Sequence, residues 1–344
     1  MKNSPVFIYA LAEALSFASS LKERDRHGNM HYVWRKYLES WGWTTDGKLT
    51  YLTKDYLRNT SLRHPESIGH QPDFYTPTTL SFQDLDFIKQ VIVSTLGHAA
   101  KLDAERDLSK YEKMLANKNL LEMFPYYSES TELLDRHMHN YIEDIYGRSE
   151  TEVAKSSYLE KLSVADSSFF HSKEHQNSFV HFVMLQYLRT LKMKERVKQA
   201  FNSPEIVGYL SKYSDQFERA WCFTSVFLAS DLSSFLAEQR VDLTLLQNNT
   251  DIPLITCDQP VVNLRHDYEE FTKVNEMEAY YPITPTIAVL LTYNIETPSF
   301  TSILTNEDVL KLNDMMFEVS HKQVYASNSN VLQKYLQADN QAKA

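Results

Sequence analysis

Polar side chains that are widely spaced along this chain have the chemistry needed to bind and cleave a phosphate ester. Arg189 and Arg196 are seven residues apart, and Gln186 lies three residues before Arg189. On one continuous helix the three would share a face. Because a guanidinium group offers a planar fork of donors to phosphate oxygens, we expect both arginines to bind substrate and Gln186 to assist catalysis.

Two further residues supply acid–base chemistry. His31 is the side-chain type best suited to move a proton near neutral pH. Asp258 follows a β-forming run, and an aspartate at a strand end can act as a base, orient a histidine or ligate a metal. Arg35 is included as a third substrate-binding arginine. The set predicts phosphodiester hydrolysis without a cofactor, with a divalent metal at Asp258 as the variant of that mechanism.

The same residues allow two non-catalytic interpretations. They suit a site that binds an anionic ligand and does nothing further. They equally suit a buried structural network in which Asp258 ties Arg189 or His31 across a sheet–helix junction. Asp258-Gln259-Pro260 is also typical of a capped turn before an edge strand. The residue types alone leave these alternatives open.

Several other chemistries are disfavoured by the sequence. There is no GxGxxG or GxxxxGK[ST] loop to cradle a nucleotide, and no GxSxG nucleophile elbow. The segment HSKEH at 171–175 differs from the HExxH of zinc proteases. Cys257 precedes Asp258, and a neighbouring carboxylate disfavours the reactive thiolate.

Charge and cysteine content narrow the partners and the compartment. The formal net charge of −10 disfavours an extended nucleic-acid interface, so we expect a nucleic-acid or nucleotide substrate only in a local pocket. Two cysteines and no CxxC motif indicate a reducing cytoplasm. We expect no membrane association, and we consider a partner protein or a homo-oligomer.

Helical periodicity predominates in the middle of the chain, at 81–247. Ser81 is the expected N-cap of its first helix. Further helices are expected at 105–117, 129–146, 150–163, 166–200 and 204–238. An amphipathic helix is expected at 1–24, and a surface loop at 55–80.

β-forming residues lie near the start and in the last third. Asp46-Gly47 is a strand-reversal signal before a strand at 48–53. Further strands are expected at 252–262, 279–284, 287–293 and 322–327, with a helix capped by Thr305 before the last. This order predicts an α+β fold in which N- and C-terminal segments form one mixed sheet around a large helical insert. Residues 25–330 would form one domain, followed at 331–344 by a C-terminal helix and a frayed tail.

Six short segments, spread over about residues 29–328, carry a family resemblance. They are HYVWRKYL (31–38), IGHQPDFY (68–75), QYLRT (186–190) with Arg196 beyond it, TCDQPV (256–261), PITP (282–285) and a closing stretch from Leu312-Asn313 to VYAS (324–327). In this order they resemble the HYVPxxYLxxF, IGxExDFY, QxxRTxxxR, TSDNPV, PLSP and LNxxxxxxAxRxVYS segments of the bacterial domain-of-unknown-function family 4238. Trp34 stands where that family has proline, and Gln71 where it has an acidic residue. The six candidate site residues are polar members of these segments, so the resemblance implies a shared fold and a candidate site, but no reaction.

We therefore expect a cytoplasmic bacterial hydrolase that acts on a phosphate-containing substrate. A nuclease-type toxin or anti-phage defence effector fits this expectation, because orphan bacterial families are associated with genetic conflict. The alternative is a non-catalytic ligand- or protein-binding component of a bacterial complex. The acidic charge balance favours that alternative, since nucleic acid would be repelled outside a local pocket.

Overall fold

The computed structural model describes residues 5–23, 25, 29–42, 44–54, 59–72, 80–201, 213–265 and 276–342. Within these ranges the chain forms eleven α-helices. They are α1 (Pro5–Ser20), α2 (Arg35–Glu39), α3 (Phe82–Phe87), α4 (His98–Glu122), α5 (Ser128–Lys155), α6 (Tyr158–Ser163), α7 (Lys173–Leu188), α8 (Leu191–Phe201), α9 (Ser214–Ala237), α10 (Asn306–Val319) and α11 (Asn330–Ala342).

The strands of the described residues form two sheets and a short ribbon. They are β1 (Asn29–His31), β2 (Leu49–Thr53), β3 (Ser61–Arg63), β4 (His70–Pro72), β5 (Asp242–Asn248), β6 (Ile255–Cys257), β7 (Val262–Asn263), β8 (Met277–Pro282), β9 (Ile287–Tyr293), β10 (Ile303–Leu304) and β11 (Gln323–Ala326). One sheet has the order β3-β2-β11-β6 and the other β10-β5-β9-β8-β7, while β1 pairs with β4. The pairs are antiparallel except β10 with β5, so the larger sheet is mixed.

The four-stranded sheet joins the two ends of the chain. β11 lies between β2 and β6, with Tyr325 opposite Tyr51 on one side and Thr256 on the other. The predicted α+β fold, with a sheet shared by N- and C-terminal segments, is confirmed. The strands divide between two sheets rather than one, because β8 and β9 pair in a second sheet of C-terminal segments.

Sequence periodicity located the helix caps better than the short strands. Ser81 and Thr305 both cap helices as predicted, each in a capping box with the aspartate three residues later. β5 and β10 fall in segments with no predicted strand, and β3 and β4 fall in the predicted loop. Such short strands carry too few alternations to be separated from helix or loop by periodicity. Residues 55–58, 73–79 and 204–212, also covered by predictions, lie outside the described residues.

Helix boundaries differ from prediction in two places, both near the candidate site. The helices expected at 129–146 and 150–163 are instead a long α5 that runs through Gly147 to Lys155, and the short α6. The helix expected at 166–200 is broken into α7 and α8 at Arg189 and Thr190. A single interior glycine is tolerated in a packed helix. The break after Leu188 is instead explained by side-chain contacts with residues that are distant in sequence.

Helix α9 lies among the other helices, against α7, α4 and α3. Among the described helices, α9 is long and apolar enough to cross a membrane by length and composition. In the folded chain 61% of that apolar stretch is buried by protein. A core helix and a membrane span share this composition, and here the helix contributes to the core.

The backbone conformation and the surroundings at position 69 both require glycine. Substitution of Gly69 is therefore expected to reduce stability strongly. Its φ is +63°, and an added Cβ would lie 3.0 Å from Val33 Cβ and 3.1 Å from a Leu38 methyl carbon. We expect Gly69→Ala to lower the free energy of unfolding by about 2 kcal/mol in urea denaturation.

Gly147→Ala is the matched control for this substitution. It lies inside α5, and an added Cβ would meet nothing within 4 Å. Here we expect a gain of about 0.5–1 kcal/mol from improved helix propensity. Equal urea midpoints for Gly69→Ala and the wild type would contradict the conformational argument.

Candidate functional site

A buried arginine organises the junction between the helices and the sheets. Arg189 directly follows α7, and its side chain is only 1% exposed. Its Nε donates to the Tyr32 carbonyl at 3.0 Å, Nη1 to Glu150 Oε1 at 2.6 Å and Nη2 to Gln186 Oε1 at 2.8 Å. The guanidinium carbon also lies 5.4 Å from the centre of the Tyr146 ring. Arg189 therefore joins α7, α5 and the segment after β1.

The predicted stripe of Gln186, Arg189 and Arg196 on one helix is wrong. Gln186 and Arg189 do meet, because Arg189 keeps helical backbone angles at the end of α7. Arg196 lies in the next helix, α8, where it is buried. The break at Arg189-Thr190 changes the direction of the chain, so spacing by seven residues does not place the two arginines on a common face.

Asp258, directly after β6, is bound by three backbone donors. Its Oδ1 accepts from the His321 N–H at 2.8 Å, and its Oδ2 accepts from Lys322 at 2.7 Å and Gln323 at 2.9 Å. Burial raises the pKa of the Asp258 carboxyl, and the backbone donors of Lys322, His321 and Gln323 oppose that shift. The carboxylate thus holds the turn that leads into β11.

Gln259 connects this strand end to the arginine. Its side-chain amide nitrogen donates to the Tyr187 carbonyl at 3.1 Å, and its Oε1 accepts a short hydrogen bond from the Thr190 hydroxyl. Thr190 directly follows Arg189. The predicted contact between Asp258 and Arg189 is therefore made by the residues that follow them, Gln259 and Thr190.

The remaining predicted site residues occupy different surroundings. His31 ends β1 and faces His70 of β4, with ring centres 5.3 Å apart. The next residue, Tyr32, supplies the carbonyl that binds Arg189, and burial and the charge of Asp258 raise the pKa of its phenol. Arg35 lies exposed on α2, 3.5 Å from Glu39, and takes no part in the junction.

Two carboxyl groups of α5 that sequence reasoning did not select belong to the same network. Glu143 and Glu150 are seven residues apart, which places them on one helical face. Burial and the neighbouring Glu150 raise the pKa of Glu143 to about 7, and Arg189 opposes that rise. Burial also raises the pKa of Glu150, against the effect of its ion pair with Arg189. The sequence predicts separate helices at 129–146 and 150–163, which places Glu143 and Glu150 on different helices, so no local pattern indicated this pair.

Glu143 also reaches an open cleft along α5. The cleft has a volume of about 660 Å³. Its lining residues come from the second half of α5: Glu143, Asp144, Gly147, Arg148, Thr151, Glu152 and Lys155. Glu143 Oε2 is shielded from solvent and has no hydrogen-bond partner within the described part of the chain. One side chain thus connects the buried arginine network with a solvent-filled cleft that carries both acidic and basic groups.

Metal ligation has limited support from side-chain clustering. Over the described ranges, no group of three or more His, Cys, Asp or Glu side chains is arranged to hold a metal ion. A divalent metal at Asp258 stays a prediction.

Comparison with protein families gives a match over most of the chain. The family described as "Protein of unknown function (DUF4238)" matches residues 29–221 and 231–330. No curated protein and no solved structure matches the chain.

Replacing Arg189 with methionine removes the group that joins three segments. We expect Arg189→Met to lower the free energy of unfolding by about 3–5 kcal/mol, because the mostly buried Glu150 would lose its cation. Arg240→Met is the control, since Arg240 is 88% exposed and pairs with nearby Asp242; we expect a change within about 0.5 kcal/mol. Denaturant unfolding of both variants measures the difference, and a loss below about 1 kcal/mol at Arg189 would argue against its joining role.

Glu143 makes stability depend on pH in a defined direction. Its pKa is about 7 in the folded chain and 4.5, the ordinary value for glutamate, in the unfolded chain, so the folded state binds the proton more tightly. Stability therefore falls as the pH rises from 4.5 through 7. We expect Glu143→Gln to exceed the wild type in stability at pH 8, with the gap narrowing towards pH 5. Glu152→Gln, at an exposed position of the same cleft, should follow the wild type at both pH values in thermal denaturation.

Proposed function

This chain belongs to the family "Protein of unknown function (DUF4238)", and we infer its activity from its own residues. We propose that it is a hydrolase of phosphate-containing substrates with Glu143 as the general base. The reaction would take place in the cleft along α5. Glu143 accepts a proton from water as the water oxygen attacks phosphorus, and the phosphorus–oxygen ester bond breaks. The leaving oxygen takes its proton from solvent.

The observation that carries this proposal is a carboxyl group with a pKa of about 7 that lines an open cleft. A general base is most effective when its pKa lies near the working pH, because it is then both available and sufficiently basic. Carboxyl groups shifted to this range by burial and a like charge are concentrated at functional sites. Structural ion-pair networks also shift pKa values, so the experiment must test chemistry directly.

The other network residues position Glu143 in this proposal. Glu150 contributes to the raised pKa of Glu143, and Arg189 holds Glu150 in place through the 2.6 Å ion pair. Each guanidinium nitrogen of Arg189 already donates within the protein. Substrate binding is assigned instead to the cations that line the cleft, which do not include Arg35, Arg189 or Arg196.

Arg148 and Lys155 are the cations that line the cleft. They are seven residues apart on α5, so they share a face and could bind the oxygens of one phosphate group. Asp144 and Glu152 line the same cleft, and the whole chain carries a net charge of −10. These charges favour a small phosphate ester, a nucleotide or a single-stranded end over a long duplex.

The biological setting is an expectation that forms part of the proposal. A cytoplasmic hydrolase of nucleotides or RNA would fit a nuclease-type toxin or an anti-phage defence effector in bacteria. Under this proposal, overproduction of the wild type slows growth and degrades cellular RNA. Overproduction of Glu143→Gln does neither.

The alternative is a non-catalytic ligand- or protein-binding component. It is favoured by the internal hydrogen bonds of Asp258 and Arg189, whose charged groups are used to hold backbone and side chains together. In that case the α5 cleft binds an anionic ligand without reaction. Binding would depend on Arg148 and Lys155, and would be unaffected by Glu143→Gln.

Hydrolysis assays separate the two candidates. Purified protein is incubated with p-nitrophenyl phosphate, bis(p-nitrophenyl) phosphate and a labelled single-stranded RNA, in EDTA and in Mg²⁺. We expect wild-type turnover that rises with pH around 7, and a loss of about 10²–10⁴-fold in Glu143→Gln. Glu152→Gln, at the same cleft, should retain the wild-type rate.

Three outcomes would change the proposal. Equal rates for Glu143→Gln and the wild type would remove Glu143 as the base. A requirement for Mg²⁺ that is lost on substitution of Asp258 would favour the metal variant of the mechanism. No turnover, together with nucleotide binding that Arg148→Gln weakens, would favour the binding protein.

A further inference from the structure

We propose that His31 and His70 form a binding site for a divalent transition-metal ion, for which Zn²⁺ is the probe. The pair lies in the β1–β4 ribbon, and its lining residues differ from those of the cleft along α5. The inference therefore stands or falls independently of the proposed hydrolase.

The two histidines lie directly opposite each other across the ribbon. His31 of β1 pairs with His70 of β4 in an antiparallel register. The flanking hydrogen bond runs from the Tyr32 N–H to the Gly69 carbonyl at 3.0 Å. Hydrogen-bonded and non-hydrogen-bonded pairs alternate along an antiparallel ribbon, so His31 and His70 occupy a non-hydrogen-bonded pair. At such a pair the side chains are on the same face and closest together.

The ring geometry agrees with two imidazoles on one tetrahedral ion. A ligating nitrogen lies about 2.0–2.1 Å from zinc, and the ring centre lies about 1.1 Å further along the same line, so two rings at a tetrahedral angle have centres about 5.2 Å apart. The centres of the His31 and His70 rings are 5.3 Å apart. Their planes are tilted by 57°, unlike the near-parallel planes of a stacked pair.

One ring nitrogen of the pair lacks a hydrogen-bond partner among the described residues. His70 Nδ1 is shielded from solvent, and within the described residues it has no hydrogen-bond partner. A shielded imidazole nitrogen of this kind is destabilising unless it donates, accepts or ligates. A metal ion bound between the two rings would satisfy it.

The strand segments that carry the pair are held firmly by other contacts. The Gly69 carbonyl accepts from the N–H groups of both Tyr32 and Val33. The Gly69 N–H donates to Gln323 Oε1 at 3.2 Å, and the Gln323 N–H is bound by Asp258. Both histidines are therefore positioned by the same turn and strand that form the candidate site, and little ordering remains to be done on binding.

The ion would keep exchangeable positions. Throughout the described ranges no third His, Cys, Asp or Glu side chain joins this pair as a ligand cluster. Water or a ligand donor atom would fill the remaining positions of a four-coordinate ion. Imidazole ligands suit Zn²⁺, Ni²⁺ and Cu²⁺ better than Mg²⁺ or Ca²⁺, which prefer oxygen ligands.

Calorimetric titration of the chelator-stripped full chain with ZnCl₂ tests the site. We expect one zinc ion per chain, bound at least tenfold more weakly in both His31→Gln and His70→Gln. His64→Gln is the matched control, because His64 lies six residues before His70 and half exposed beside Asp46, outside the pair. Its zinc affinity should stay within twofold of the wild type.

Folding and ligand identity are controlled separately. Circular dichroism in EDTA shows which variants are folded, and zinc affinity is compared only among those. Copper(II) bound in place of zinc should show hyperfine coupling to two imidazole nitrogens in the wild type and to one in His70→Gln. Zinc affinity in His31→Gln and His70→Gln equal to that of the wild type would overturn the inference, as would a wild type that binds no zinc.

Discussion

A guanidinium group that is almost entirely buried must find all of its partners inside the protein, and Arg189 imposes this constraint on its neighbourhood. Its three nitrogens reach the backbone after β1, a carboxylate of α5 and an amide of its own helix. The segments that meet at the arginine are separated by as many as 157 residues in sequence. The break between α7 and α8 comprises this residue and Thr190, whose hydroxyl donates to Gln259. The arginine thus determines how the helical layer meets the strands.

The ion pair of Arg189 also bears on the pKa of a second carboxyl group of α5. Glu150 forms the ion pair with Arg189 at 2.6 Å, and the same cation lowers the pKa of Glu143 by less than burial and Glu150 raise it. Glu143, on the same helical face, then meets both low solvation and a like charge, and its pKa rises to about 7. A structural ion pair therefore leaves a carboxyl group at the cleft that exchanges its proton near neutral pH. The proposed chemistry is a consequence of the packing around Arg189 rather than a separate feature of the fold.

Asp258 meets the opposite requirement at the end of β6. This buried anion is held by three backbone N–H groups, and they fix the turn into β11. Gln323 of that strand binds Gly69, and Gly69 in turn binds Tyr32, whose carbonyl binds Arg189. A continuous chain of hydrogen bonds therefore connects Asp258, the histidine ribbon and the arginine. His31 and Tyr32 lie where these connections meet.

Local sequence patterns by themselves determined the α+β class, the capped starts of α3 and α10, and the meeting of both chain ends in one sheet. The segments that carry the family resemblance supplied Gln186, Arg189 and Asp258, which lie at one junction. Periodicity and capping depend on residues within a turn or two, so the sequence displays them directly. Only the tertiary structure decided that the helix breaks after Leu188, that Arg196 lies in the next helix, that Arg35 is exposed, and that Glu143 and Glu150 belong to the network. Burial, hydrogen-bond satisfaction and pKa depend on neighbours 39 to 157 residues away, and no local pattern encodes which of those neighbours will meet.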